Sequence, residues 1–134
     1  MPHPIMFDEA DPLLRRLRAL ALAFPDAAEK VSHGRPAFYT TKVFAYYGGS
    51  VKVDGVHRQH EQSVLVLVDP DERAALSDEH RCFVPAYLGA SGWIGVDLTG
   101  DTDWDEVDEL LDASYRRTAG ARRVALLDSQ RSRT

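Results

Sequence analysis

Cysteine is nearly absent: Cys82 stands alone in 134 residues. No intrachain disulfide can form, and the chain suits a reducing cytoplasm. Long apolar runs are also missing. Nothing approaches the roughly 20 residues that a membrane span needs, so no membrane partner is expected. The opening "MPHPIMFDEAD" lacks a basic start followed by an apolar stretch, which argues against a secretory leader. There is no internal repeat and no linker-like segment. What remains is ordinary globular composition, 44% hydrophobic and 28% charged. That predicts one folded domain over residues 1–134, with a core at about 11–120 and a tail at 121–134.

Charge is unevenly placed. Residues 1–60 carry eight basic and six acidic side chains, residues 61–112 two basic and fourteen acidic, and residues 113–134 six basic and one acidic. The net charge of −5 disfavours tight non-specific nucleic-acid binding, while a basic region at one end allows a local contact. The plainer reading of the acidic residues is the solvated faces of two helices.

Three Asp residues announce three helices. Asp11 caps a helix with Pro12 at its first position, and Leu13, Leu14, Leu17, Leu20, Ala21 and Phe24 recur at helical spacing until Pro25. Asp69 with Pro70 and Glu72, and Asp103 with Glu106, repeat the signal. The last helix has acidic first turns and ends on Arg116 and Arg117, matching the helix dipole. Gly120 is its expected stop. "DAAEKVSHG" is read as a short helical turn. Strands are expected at "PAFYTT", at "VFAYYG" continuing past a bend at Gly48-Gly49, at "SVLVLVD", at "RCFVPA" and at "GWIGVDL". "VHRQHEQ" is read as a loop. The result is an α+β fold, α-β-β-β-α-β-β-α: two layers, with helices packed on a mostly antiparallel five-stranded sheet.

"EKVSHGRPAFYTTKVFAYYGG", "DPDERAAL", "VPAYLGASGWIGVDL" and "DWDEVDELLDASYRR" together resemble the MmcQ/YjbR family, from about Leu14 to Arg117. The most specific pieces are Glu29…His33-Gly34-x-Pro36-x-Phe38…Lys42-Val43-Phe44, the Gly92-Trp93 pair and Ser114-Tyr115. The resemblance implies a two-layer domain similar to secretion-chaperone-like and double-wing folds. It also implies DNA binding, a label that rests on fold analogy. It brings no catalytic residues. This chain departs from the pattern in being strongly acidic after Trp93, which counts against phosphate contacts on that side.

Several constellations invite chemistry. His57 and His60 are three apart in an expected loop with no third ligand, so no metal is predicted. Cys82 follows His80 and Arg81, which would lower a thiol pKa, but no partner base is evident. Glu29 and His33, four apart, would share a helical face and fix the corner between helix and strand; an acid/base pair is the alternative. Lys30, Arg35, Lys42, Lys52 and Arg58 interleave with Tyr39, Tyr46 and Tyr47, a pattern that suits phosphates and stacked bases as well as ordinary edge strands. Trp93 is expected to pack on Trp104 or Tyr115 and pin the last helix to the sheet.

The first functional expectation is therefore a non-enzymatic binding module that contacts DNA through Lys30, Arg35, Lys42, Lys52 and Arg58. The second is a small-molecule binder with a pocket built from Glu29, His33, Tyr39, Tyr87 and Trp93. The third is an enzyme using Glu29 and His33. No cofactor is expected, and a monomer is favoured.

Overall fold

The computed structural model describes residues 4–133; residues 1–3 and 134, the ends of the expected domain, lie outside them. The elements are α1 (Pro12–Leu22), β1 (Ala28–Ser32), β2 (Arg35–Tyr39), β3 (Val43–Val53), β4 (Val56–Leu67), α2 (Pro70–Ser77), β5 (Cys82–Phe83), a 3-10 turn at Leu88–Ser91, β6 (Trp93–Asp97), α3 (Trp104–Thr118) and α4 (Ala121–Ser132). The strands form one antiparallel sheet in the order β1-β2-β3-β4-β6-β5. None of the described helices is long and apolar enough to cross a membrane.

The three Asp caps form as the sequence predicts. Asp11 accepts from the Leu13 amide, Asp69 from Asp71 and Glu72, and Asp103 from Asp105 and Glu106. Each cap satisfies amides that have no partner inside the helix.

Two tight hairpins shape the sheet, and the first adds a strand to the expected count. His33-Gly34 joins β1 to β2 with φ of 52° and 82°, and Asp54-Gly55 joins β3 to β4 with φ of 51° and 78°. Positive φ at both central residues matches the twist of the flanking strands. The sheet thus has six strands rather than five. Residues 28–32 are strand instead of a helical turn. "VHRQHEQ" is likewise strand, the distal half of β4, rather than a loop.

Residues Ala121–Ser132 of the expected tail form a helix. Gly120, φ +90°, turns the chain out of α3 into α4, which buries Leu127 in the core. Arg116 donates to Asp112 on its own helix and to Asp128 of α4, and Arg123 pairs with Asp26 at 3.1 Å.

Helices cover one face of the sheet. Leu14, Leu17 and Ala21 of α1 and Val107, Leu110, Leu111 and Tyr115 of α3 meet Phe38, Phe44, Tyr47, Val64, Val66, Ile94 and Val96. The ring of Tyr115 sits 5.0 Å from that of Phe24 and 5.4 Å from that of Phe44. Its hydroxyl donates to the Pro25 carbonyl at 2.8 Å. Ser114, fully buried, donates to the Phe44 carbonyl at 2.6 Å and accepts from the Leu67 amide at 2.9 Å. One hydroxyl thereby satisfies a donor on β4 and an acceptor on β3, which explains the Ser114-Tyr115 pair as a folding device.

Trp93 is not part of that core. Strand residues alternate between faces, and Ile94 and Val96 point to the helices, so Trp93 points away from them. It joins Leu65 and Phe83 in a second cluster, with Tyr46, Val51, Leu67 and Leu88 at its border. Its ring meets Tyr46 edge-on at 5.2 Å, and Phe83 finds its place against the bare backbone of Gly95. Neither Trp104 nor Tyr115 touches this cluster. Trp104 instead lies beneath the Arg16 guanidinium at 4.9 Å.

Candidate functional site

Among the described residues no α-helix side chain joins the Trp93 cluster, and only Leu88 of the 3-10 turn borders it from a helical segment. The segment after β5 folds over part of it: the Ala86 amide donates to the Ser50 carbonyl at 2.7 Å. Arg73 of α2 holds the far end of this segment by donating to the carbonyls of Gly89, at 2.8 Å, and Trp93, at 3.3 Å. Between this segment and the β3–β4 hairpin lies a cleft of about 570 Å³. Tyr46, Gly48, His57, Gln59 and Tyr87 line it, together with His33 and Arg35 from the β1–β2 hairpin.

Tyr87 is the unusual wall. It is 81% exposed, yet its backbone holds φ +67°, a conformation that costs a residue with a Cβ about 1–3 kcal/mol. Hydrogen bonds on either side, Ala86 to Ser50 and Gly89 to the Pro85 carbonyl, fix that turn. The phenol ring lies nearly parallel to His57, with centroids 5.8 Å apart and planes 22° apart. Tyr46, below, has its phenol pKa raised by burial.

Arg35 enters from β2. Its Nη2 donates to the Gln59 side chain, and its buried Nη1 has no hydrogen-bond partner. Loss of water lowers its pKa, against a smaller opposing pull from Glu61. The guanidinium lies against Gly48, φ +87°, where an added Cβ would stand 2.3 Å from Nη1. Glycine suits this left-handed backbone, and a side chain there would push the guanidinium aside.

A second hollow, of about 590 Å³, lies on the other side of Met6 and carries Asp8, Asp11 and Glu61. Its central groups are already engaged: Asp11 caps α1 and accepts from the Tyr47 hydroxyl, and Gln62 donates to it at 3.4 Å. Burial and the Asp11 carboxylate together raise the Tyr47 pKa.

The expected site residues divide among several places. His33, Tyr87 and Arg35 meet in the cleft. Trp93 lies buried in the neighbouring cluster rather than on the cleft wall. Glu29 sits on β1 and is held by Arg18, with Nε to Oε1 at 2.7 Å and Nη2 to Oε2 at 2.9 Å. Glu29 and His33 therefore share no helical face, since one is in a strand and the other in its turn. Lys30 places its ammonium over Tyr39, 4.6 Å from the ring centre. Lys42 lies in the β2–β3 connection, and Lys52 and Arg58 lie on the distal β3–β4 hairpin. The cations thus occupy three regions of the sheet.

His57 and His60 take separate partners. His60 stacks on Phe83 at 3.9 Å, and its Nδ1 lies 2.7 Å from Asp97. Cys82 also differs from expectation. Burial pushes its thiol up to about 11, more than Arg81 lowers it. Arg81 is engaged by Glu79 and Glu106, which weakens its effect on the sulfur.

The motif residues of the resemblance now have structural roles. His33-Gly34 is a hairpin turn, Pro36 and Phe38 are buried, and Phe44 receives Ser114. The YjbR family model matches residues 22–117. The chain belongs to the YjbR family. The crystal structure of Deinococcus radiodurans protein DR2400, with a DUF419 domain, aligns at a TM-score of 0.54 and 18% identity, over 86% of this chain and 78% of that one. That likeness concerns the fold. A comparison with curated proteins gave no match.

His57 and Gln59 were hidden in the sequence by the loop reading of "VHRQHEQ". The signal that finds them is Asp54-Gly55, a strong two-residue hairpin dipeptide. It pairs Lys52 with His57 and Ser50 with Gln59.

Proposed function

We propose that this YjbR domain is a non-enzymatic binding module whose site is the open-face cleft, and that its ligand is a small molecule with a planar group. The observation that carries this reading is Tyr87: an exposed aromatic ring, held in a strained backbone turn and laid parallel to His57 at the mouth of a cleft. Strain of this kind persists where the surrounding structure enforces it, and it clusters at binding sites. Aromatic walls with a few fixed polar groups are the usual make-up of small-molecule sites. A titration of the labelled protein with neutral aromatic fragments, followed by amide NMR, tests it. Shifts should concentrate at Gly48, His57, Gln59 and Tyr87, and Tyr87→Ala should reduce them. Shifts scattered over the surface, or none at millimolar fragment, would refute the reading.

A second reading, a nucleic-acid contact, is supported by the β3–β4 hairpin. Both of its strands are exposed from Lys52 to Gln59, and Lys52 and Arg58 lie on opposing strands there. Such a wing suits phosphate contacts. Duplex binding at ~50 mM salt should weaken as salt rises, and Lys52→Ala or Arg58→Ala should each lower the salt slope by about one. Affinity no better than that of an acidic control protein would end this reading.

A further inference from the structure

The cleft holds a cation that the fold leaves incomplete. The other half-buried arginines near the sheet are fully answered. Arg18 meets Glu29 and Glu9, and Arg73 meets two backbone carbonyls. Arg123 meets Asp26. Arg35 has one neutral acceptor, the exposed Gln59 side chain, and a buried Nη1 with none. Glu61 offsets the burial of this cation only in part and forms no hydrogen bond or ion pair with it. A buried charge without a direct partner is costly, and native structures avoid it unless something else supplies the partner.

The same edge of the guanidinium carries both Nη groups. An oxyanion placed there would take the position of Gln59 and accept from Nη1 and Nη2 together, the bidentate geometry that guanidinium favours. Gln59 is exposed and free to swing aside. Two residues along β4 from Gln59 stands His57, already stacked with Tyr87. That spacing corresponds to about 7 Å along a strand. We infer that the ligand is a planar ring bearing an oxyanion about 7 Å from the ring centre, the anion on Arg35 and the ring on the Tyr87–His57 pair. This rests on the small-molecule reading above. It adds the charge of the ligand and its length. The anion is a phosphate monoester or a carboxylate, which Arg35 would hold in the same way.

Isothermal titration and amide NMR with four probes test the inference. Adenosine 5′-monophosphate and adenosine form the phosphate pair; indole-3-propionate and its amide form the carboxylate pair. The anionic member of at least one pair should bind on the order of tenfold to a hundredfold tighter than its neutral partner. Which pair shows the gap identifies the anion. Arg35→Gln should abolish the gap by weakening the anionic member far more than the neutral one, and Tyr87→Ala should weaken both members. Arg35→Lys, which keeps the charge but not the fork, should recover only part of the gap. Equal affinity of anionic and neutral probes at the cleft would overturn the inference and leave the small-molecule reading standing. Failure of all four probes to shift cleft amides would overturn both. Thermal melting of each variant confirms that it is folded.

Discussion

The two faces of the sheet are built to different standards. On the helix-covered face three hydroxyls are answered: Ser114 bridges two strands, Tyr115 reaches the Pro25 carbonyl, and Tyr47 reaches Asp11. On the open face Arg35 lacks a partner for Nη1 and Tyr87 holds a strained turn. The first face maximises stability. The second keeps groups in states that folding alone does not favour, which is where recognition is expected. The contrast gives physical content to the choice of site, because both faces contain aromatic clusters and the open one holds a half-buried cation with an unmet donor.

The largest effect should come from the covered face. Leu111→Ala removes a fully buried side chain and is expected to cost about 2–5 kcal/mol in denaturant unfolding. A loss under ~1 kcal/mol would mean that the helix layer is packed more loosely than described.

Ser114→Ala follows. It leaves the Phe44 carbonyl and the Leu67 amide without their shared hydroxyl, a loss of roughly 1–3 kcal/mol. Chemical denaturation measures it, and the amide of Leu67 should exchange with solvent faster.

Arg35→Leu tests the open face with the opposite sign. Removing a half-buried cation that forms no ion pair should leave the unfolding free energy unchanged or raise it by about 1 kcal/mol. A clear destabilisation would show that Arg35 is a structural element and would remove the contrast between the faces.

The smallest effect concerns Cys82, at the far sheet edge. Its thiolate is the reactive form, and burial raises the thiol to about 11. Alkylation by iodoacetamide should therefore be slow at pH 8 in the native protein, accelerate as pH rises toward 11, and become faster on unfolding. Rapid native labelling at neutral pH would show that the sulfur is less buried than the fold implies.

Much of this was legible beforehand, and the failures share a cause. The Asp caps and helical stripes are local signals, read within one or two turns, and they hold. Glu29 illustrates the opposite case. Its segment carries no strong strand pattern; it becomes strand where β2 offers a register and the Arg18 guanidinium of α1 donates to the Glu29 carboxylate. Trp93 was assigned to the helix face although Ile94 and Val96 have the opposite parity, and a shift of one residue reverses the face. The Asp54-Gly55 hairpin was readable and, once recognised, places His57 and Gln59.

By itself the sequence determined where helices begin, which residues are apolar, how charge is distributed along the chain and which family it resembles. Each depends on residues close in the chain or on a pattern spread along it. Only the tertiary structure decided which face Trp93 occupies, that the C-terminal segment docks as a helix, and that Arg35, Gln59, His57 and Tyr87 share a cleft. These depend on strand pairing and packing between distant segments, where the solvation of a charge or the partner of a ring is set by residues far away in the chain.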